Sequence, residues 1–172
     1  MPHPVLNLDD VVIQAPTRAR PPQGATAERY DLRRGEIATR IGARKLGYRL
    51  TVVAPDKRSC PFHSHHEEEE MFFILEGSGE LRYGDRRYPL KSGDVVACPP
   101  GGPDTAHQII NTGGTELRYL AVSTMAPVEI CEYPDSGKFG VFEDLADERR
   151  GTATRLRHLA RRGDARDYWE GE

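Results

Sequence analysis

Long apolar runs are missing from this chain. None approaches the roughly 20 residues needed to cross a bilayer, so no membrane-spanning helix is expected. Cysteine is scarce. Cys60, Cys98 and Cys131 are too few and too scattered for a disulfide framework, and they read as three reduced, partly buried thiols. A surplus of charge is lacking too. The formal net charge of −3 offers no broad basic surface to nucleic acid or an anionic membrane. Met1 to Pro16 has neither the basic start nor the apolar stretch of a signal peptide, so the expected compartment is the cytoplasm. Internal repeats and low-complexity tracts are also absent. The 172 residues predict one domain large enough to bury a core.

Three regions are expected. Residues 1–27 form an N-terminal arm, 28–142 a β-barrel, and 143–172 a charged tail. Residues 1–24 carry Pro2, Pro4, Pro16, Pro21 and Pro22 and read as extended. Within them, Val11-Val12-Ile13 can add a short strand to a sheet edge or to a partner subunit. From about Glu28 to Cys131 short strands alternate with turns. Gly47 to Val53 is β-rich, and Glu70 to Leu75 is an apolar run short enough for a buried strand. Leu81 and Tyr83, then Tyr88 and Leu90, alternate with polar residues around Gly84-Asp85, which is a hairpin signal. Ser92-Gly93-Asp94 turns into Val95 to Cys98, His107 to Asn111 is a further strand, and Thr112-Gly113-Gly114 leads into Leu117 to Val122. Such short, evenly spaced strands predict a closed all-β sandwich or barrel.

The tail has sparse apolar positions, Leu145, Leu156 and Leu159, and a short helix is expected around Thr152 to Arg162. Its arginines, Arg149, Arg150, Arg155, Arg157, Arg161 and Arg162, are flanked by acidic residues. They read as a solvated face and not as a nucleic-acid site. Tyr168 and Trp169 are expected to dock on the domain or on a partner subunit.

Three of the six histidines, with one glutamate, carry the chemistry. His63 and His65 are two apart, so they share one face of a strand. Glu67, Glu68 and Glu69 form a polar turn, and Glu70 opens the next strand, facing the same interior. His107 comes from a later strand. Three imidazoles and one carboxylate suit a divalent transition metal, Mn, Fe, Ni, Cu or Zn, with no need of thiolate. Four ligands on a six-coordinate ion leave two positions for water, substrate or dioxygen. His66 breaks the parity and is expected to face outward. Cys60 has an odd offset from His63, which places it on the opposite face. Cys98 precedes Pro99-Pro100, so its direction is not readable.

These segments resemble the two motifs of the cupin superfamily. Pro61-Phe62-His63-Ser64-His65, Glu70 and Gly77 match H-x-H, x3–4, E, x6, G. Gly93, Pro99-x-Gly101, His107 and Asn111 match G-x5-P-x-G followed by H-x3-N. The resemblance covers roughly residues 47–123. It implies a small β-barrel or jelly roll, a double-stranded β-helix, in which His63, His65, Glu70 and His107 ligate one divalent metal. The chain departs from the pattern twice. Lys57 stands where the family has a glycine, and five residues, Gly102 to Ala106, separate Gly101 from His107 where two are usual. The longer loop is expected to lie over one end of the site. Tyr133 to Lys138 and the ending Asp167 to Glu172 look like a bacterial single-cupin subgroup often labelled sugar-phosphate isomerase.

Gly77 and Gly93 suit turns of positive φ, Pro99 and Gly101 a tight bend, and Asn111 a turn held by its side chain. The sequence names no general base, with Tyr48, Tyr83, Gln108 and Tyr119 as unranked candidates. The expected activity is a metal-dependent reaction on a sugar, sugar phosphate or organic acid, by oxygenation, decarboxylation or isomerisation. The alternatives are a non-catalytic binding or sensor module and a barrel whose metal is only structural. Residues 1–24 are too proline-rich for a DNA-binding helix-turn-helix. A homodimer is expected, because the arm and the outward Met71 and Phe73 leave apolar surface to cover.

Overall fold

Alternation decides which way each strand faces. In Glu70–Glu76 (β4) the side chains of Glu70, Phe72 and Ile74 are buried, while those between are partly or fully exposed. Leu117–Thr124 (β9) buries Leu117, Tyr119 and Ala121 in the same way. This two-residue period belongs to sheets with one face in a core. The structure, a computed structural model, describes residues 2–15, 22–31, 33–143 and 156–172.

Twelve strands among the described residues form three antiparallel sheets. The first has the order β1-β2-β9-β4-β7, with β1 at Arg33–Glu36, β2 at Leu46–Val53 and β7 at Val95–Cys98. The second has the order β12-β11-β10-β3. It comprises β3 at Ser64–His65, β10 at Val128–Tyr133, β11 at Lys138–Glu143 and β12 at Leu156–Arg161. The third joins Arg86–Lys91 (β6), Ser78–Tyr83 (β5) and His107–Ile110 (β8). The core between them holds Val53, Phe72, Ile74, Leu81, Leu90, Val96, Ile109, Leu117 and Tyr119. All the strands expected between Gly47 and Val122 are present, and the fold is all-β.

Turn residues close the barrel as the sequence suggests. Gly77 and Gly93 have φ of 82° and 93°. Asn111 is fully buried. Its Nδ2 donates to the carbonyls of Val53 and Thr115, both at 2.8 Å, and its Oδ1 accepts from Gly113 N at 2.9 Å.

Two expectations need correction. The N-terminal segment, expected to leave apolar surface to cover, packs on its own barrel and meets a sheet edge, one of its two expected placements, through a single bridge among the described residues. Gln14 and Arg34 exchange backbone hydrogen bonds of 3.0 and 2.8 Å at the β1 edge. Val11 is buried with Ile37 and Leu50, and Leu6, Leu8 and Ile13 pack around them. Gly35 allows the close approach, since a Cβ there would stand 2.1 Å from Val11 Cγ1. The tail is likewise not helical over residues 156–161, where β12 pairs with β11, and Thr152 to Arg155 lie outside the described residues. Residues this exposed bury too little apolar surface to hold an isolated helix, whereas the β11 edge offers backbone partners at every step. Tyr168 and Trp169 are 83% and 73% exposed and pack edge-to-face on each other, not on the barrel.

Candidate metal centre

β3 is only two residues long, and it is placed by neighbours on both sides. His65 and Ser64 pair with Cys131 and Glu132 of β10. His63 and His107 exchange backbone hydrogen bonds of 3.2 and 2.7 Å. Gly101 N donates to His65 O at 2.7 Å, which ties the Pro-x-Gly bend to the first motif. Backbone pairing thus brings two segments about forty residues apart onto one end of the barrel.

The side chains of His63, His65, Glu70 and His107 converge there, with one potential ligand atom from each lying within 4.8 Å of the others. The Nε2 atoms of His63, His65 and His107 lie 3.8, 3.3 and 3.0 Å from Glu70 Oε2. Donors about 2.1 Å from a common ion stand roughly 3.0 to 3.4 Å apart at right or tetrahedral angles, so the spacing suits an ion. The other ring nitrogens are already engaged. Nδ1 of His63 donates to Pro61 O at 2.9 Å, and Nδ1 of His107 donates to Thr105 O at 3.2 Å. A carbonyl only accepts, so Nδ1 carries the hydrogen and Nε2 of the neutral ring is an acceptor. Nε2 of His65 is buried without a hydrogen-bond partner, its 3.3 Å approach to Glu70 lacking hydrogen-bond geometry. Acceptors facing a carboxylate require a cation or added protons between them. The residues therefore fit a divalent metal, and the group could hold one.

Electrostatics supports this for Glu70 and His107. Burial opposes charge on Glu70, yet the close imidazoles of His107, His65 and His63 hold its carboxyl well below the usual carboxylate range. Burial lowers His107 below the ordinary imidazole value, with Glu70 pulling the other way. A carboxylate and a neutral imidazole are the forms a metal takes. Against the effect of burial, Cys131, Glu129 and Glu70 raise His65, and Cys60 and Glu70 raise His63, so those two rings give up protons when a metal binds.

Glu129 of β10 is the residue that spacing could not reveal. It is buried, and Oε1 accepts from His66 N at 2.8 Å. Its Oε2 accepts from Glu67 N and Glu68 N at 3.2 and 2.7 Å. Oε1 also lies 3.7 Å from His65 Nδ1, and Cys131 Sγ lies 3.4 Å from that nitrogen. His65, Glu129 and Cys131 form a second potential ligand group, but the carboxylate already accepts from three amides. Its geometry is that of a clamp on the turn after His65. Tyr133 is the other unforeseen neighbour, stacked on His63 with centroids 6.2 Å apart. Burial pushes its hydroxyl up to about 12.

The remaining expectations sort by geometry. His66 faces outward, with Nε2 3.0 Å from Glu132 Oε1. Cys60 is not on the far face. Residues 59–62 are not strand, so parity does not apply, and Sγ lies 3.8 Å from His63 Nδ1, the side turned away from Glu70. Cys98 is buried in the core, opposite Glu70 in register and outside the four-residue group. The loop 102–106 does not cover the site. It packs on the β5–β6 turn, where Gly84 N donates to Ala106 O at 2.8 Å. A cavity of about 230 Å³ opens over the cluster, and His63, His65 and Glu70 line it. Arg49, Glu68, Ser123 and Met125 complete the lining, so Glu68 is not merely a solvated turn residue. Tyr48, Tyr83, Gln108 and Tyr119 are not part of it.

An all-β barrel with this cluster at one end defines the class. The chain carries a cupin domain: residues 49–123 match the family described as Cupin domain. It is 38% identical over 68 residues to the oxalate-binding protein of Thermotoga maritima, covering 40% of this chain and 54% of that protein. The chain spans about half the length of the curated relatives it matches. Among solved structures, a cupin-superfamily protein of Silicibacter pomeroyi described as a sugar phosphate isomerase superposes with a TM-score of 0.77. The identity is 22%, over 93% of this chain and 94% of that one. A protein of Acidithiobacillus ferrooxidans, provisionally described as a sugar phosphate isomerase, gives 0.64 at 28% identity, over 78% and 80%.

Proposed function

We propose that the protein is a metal-dependent enzyme in which His63, His65, Glu70 and His107 hold one divalent transition ion, Mn, Fe, Ni or Zn. Its substrate is a small polar molecule, a sugar, sugar phosphate or organic acid, and the reaction is an isomerisation, decarboxylation or oxygenation. The observation that carries this reading is the convergence of three imidazole Nε2 atoms on one carboxylate beneath a cavity. The ion supplies Lewis acidity or a redox couple when bound. The chain's own residues do the rest. Pro61 O and Thr105 O fix two imidazole tautomers, and Glu129 holds the turn that carries His65. Glu68 and Ser123 bring a carboxylate and a hydroxyl to the lining, where a proton can be taken or given.

A second reading is favoured by the name of the Thermotoga relative, an oxalate-binding protein. On that reading the same centre captures a small acid without turning it over. Substrate depletion and oxygen uptake, measured with metal-loaded protein against sugar phosphates and small acids, decide between the two. Turnover is expected. Tight binding without turnover would establish the second reading in its place.

We also propose a cytoplasmic homodimer. The N-terminal segment covers the outer face around Leu50 and Leu120. It leaves Phe73 and its cross-strand partner Val95 exposed, at 36% and 66%, for a second copy to cover.

A further inference from the structure

Arg49, at the mouth of the cavity over the four-residue cluster, has no ion-pair partner among the described residues. It lies on β2, on the strand face that also carries Thr51 and Val53, both buried. It lines the cavity with His63, His65 and Glu70, yet it makes no ion pair or side-chain hydrogen bond among the described residues. Glu36, opposite it in the β1–β2 register, is exposed and does not pair with it. Glu68 is the other charged group on the rim, and its Oε1 is turned to the amide of Ala126 at 2.9 Å.

A second guanidinium stands behind the first. Arg34 pairs with Thr51 in register, one step along the strand face from Arg49. Its Nε is buried and has no hydrogen-bond partner. Burial, and then repulsion from Arg49, holds Arg34 below the ordinary arginine value, while Glu70 is close enough to pull the other way. Two like charges on one wall, one half-buried and one with an unsatisfied donor, are unfavourable unless an anion joins them. The single carboxylate of Glu70 is already shared with three imidazoles, so it does not offset the two guanidinium charges.

We propose that Arg49, backed by Arg34, is the anion-recognition element of this site. It selects small molecules bearing a carboxylate or phosphate that lies between the guanidinium and the four-residue centre. A planar guanidinium offers paired donors to either oxyanion, and Ser123 adds a hydroxyl on the same lining. The cavity of about 230 Å³ suits a compact anion rather than a long chain. Neutral sugars are thereby disfavoured. This inference rests on the proposed function and narrows its substrate class.

Titration calorimetry with oxalate and with inorganic phosphate tests it on the full chain, with metal content measured in the same samples. Wild-type protein is expected to bind at least one of the two, and the preferred probe tells a carboxylate source from a phosphate source. Arg49→Gln is expected to weaken that binding roughly 10- to 100-fold, the range of a charge-assisted hydrogen bond, at unchanged metal content. Should Arg49→Gln not fold, Arg49→Met keeps the stem, drops the charge and gives the same comparison. Equal binding by wild type and variant, or binding of neither anion by wild type, overturns the inference. Absence of metal from the wild type overturns the proposed function instead, and the same comparison on metal-free protein then decides the role of Arg49.

Discussion

His65 shows how much one side chain in the site depends on its neighbours. Its Nε2 faces Glu70, while Nδ1 faces Glu129 and Cys131 of β10, the neighbouring strand of the same sheet. Removing the carboxylate frees both the ring and three amides of the following turn. Glu129→Ala is therefore expected to weaken metal binding roughly 10- to 100-fold, the usual effect of losing a partner that orients a ligand. Competition with a chelator measures this, and an affinity equal to wild type would remove Glu129 from the site. Asn111 fills a purely structural place. Asn111→Ala leaves buried carbonyls of Val53 and Thr115 unpaired and is expected to destabilise the fold by about 1–3 kcal/mol, read by denaturant unfolding. The four proposed ligands were legible because two sit at strand spacing and all sit in motifs with fixed turns. Glu129, Tyr133 and Arg49 were not. Glu129 lies 64 positions from His65 in the chain, and Arg49 looks like any polar residue in a β-rich segment.

Elements were readable where alternation, turn glycines and length agreed, and misread where only one of these spoke. β4, β5, β6 and β9 carry all three. Gly77 carries a further demand: φ is +82°, and a Cβ would stand 2.4 Å from Glu116 O. Gly77→Ala is expected to destabilise by at least about 1–3 kcal/mol and to lower the denaturant midpoint without changing its slope. β12 lacked the signal because an exposed edge strand needs no alternation, only a partner. Cys60 was misplaced because parity holds inside a strand and not in the bend before one. Element contacts also set a pH response. Asp135, after β10, makes a paired salt bridge with Arg82 of β5 at 2.7 and 2.9 Å. Arg82 also lies over the Phe62 ring, 3.6 Å from its centroid. The hydrogen bond from Arg82 holds the Asp135 carboxyl below its ordinary value of 3.8. A lowered carboxylate stabilises the fold above its unfolded value and loses that contribution as pH falls through the folded one. Asp135→Asn is expected to lose about 0.2–1 kcal/mol at neutral pH, as for an exposed pair. The gap to wild type should close as pH drops below 3.8. A gap that persists in acid would mean that packing, not charge, holds the turn.

For the whole molecule, the metal and a second copy are the two additions that would change stability. A ligand bound only by the folded state, at 100 times its dissociation constant, adds about 2.7 kcal/mol. Chelation should therefore lower the melting temperature, and an unchanged melting curve would argue against a structural contribution from the ion. Light scattering at micromolar concentration is expected to give twice the chain mass, and Phe73→Glu to shift it toward the monomer. A monomeric wild type would instead leave the Phe73 and Val95 patch unexplained. No helix among the described residues is long and apolar enough to cross a membrane. The barrel class was legible in the sequence because two motifs fix strand ends and turns over residues 49–123. The fold of the N-terminal segment onto its own sheet was not, because Val11 gives no sign of whose core it enters.

The central claim is that His63, His65, Glu70 and His107 bind one divalent transition metal. Elemental analysis of the purified protein beside His65→Ala and His66→Ala tests it most directly. The account predicts about one equivalent of metal in the wild type and in His66→Ala, whose ring faces Glu132, and a loss of most of it in His65→Ala. Metal content in His65→Ala equal to wild type would contradict it.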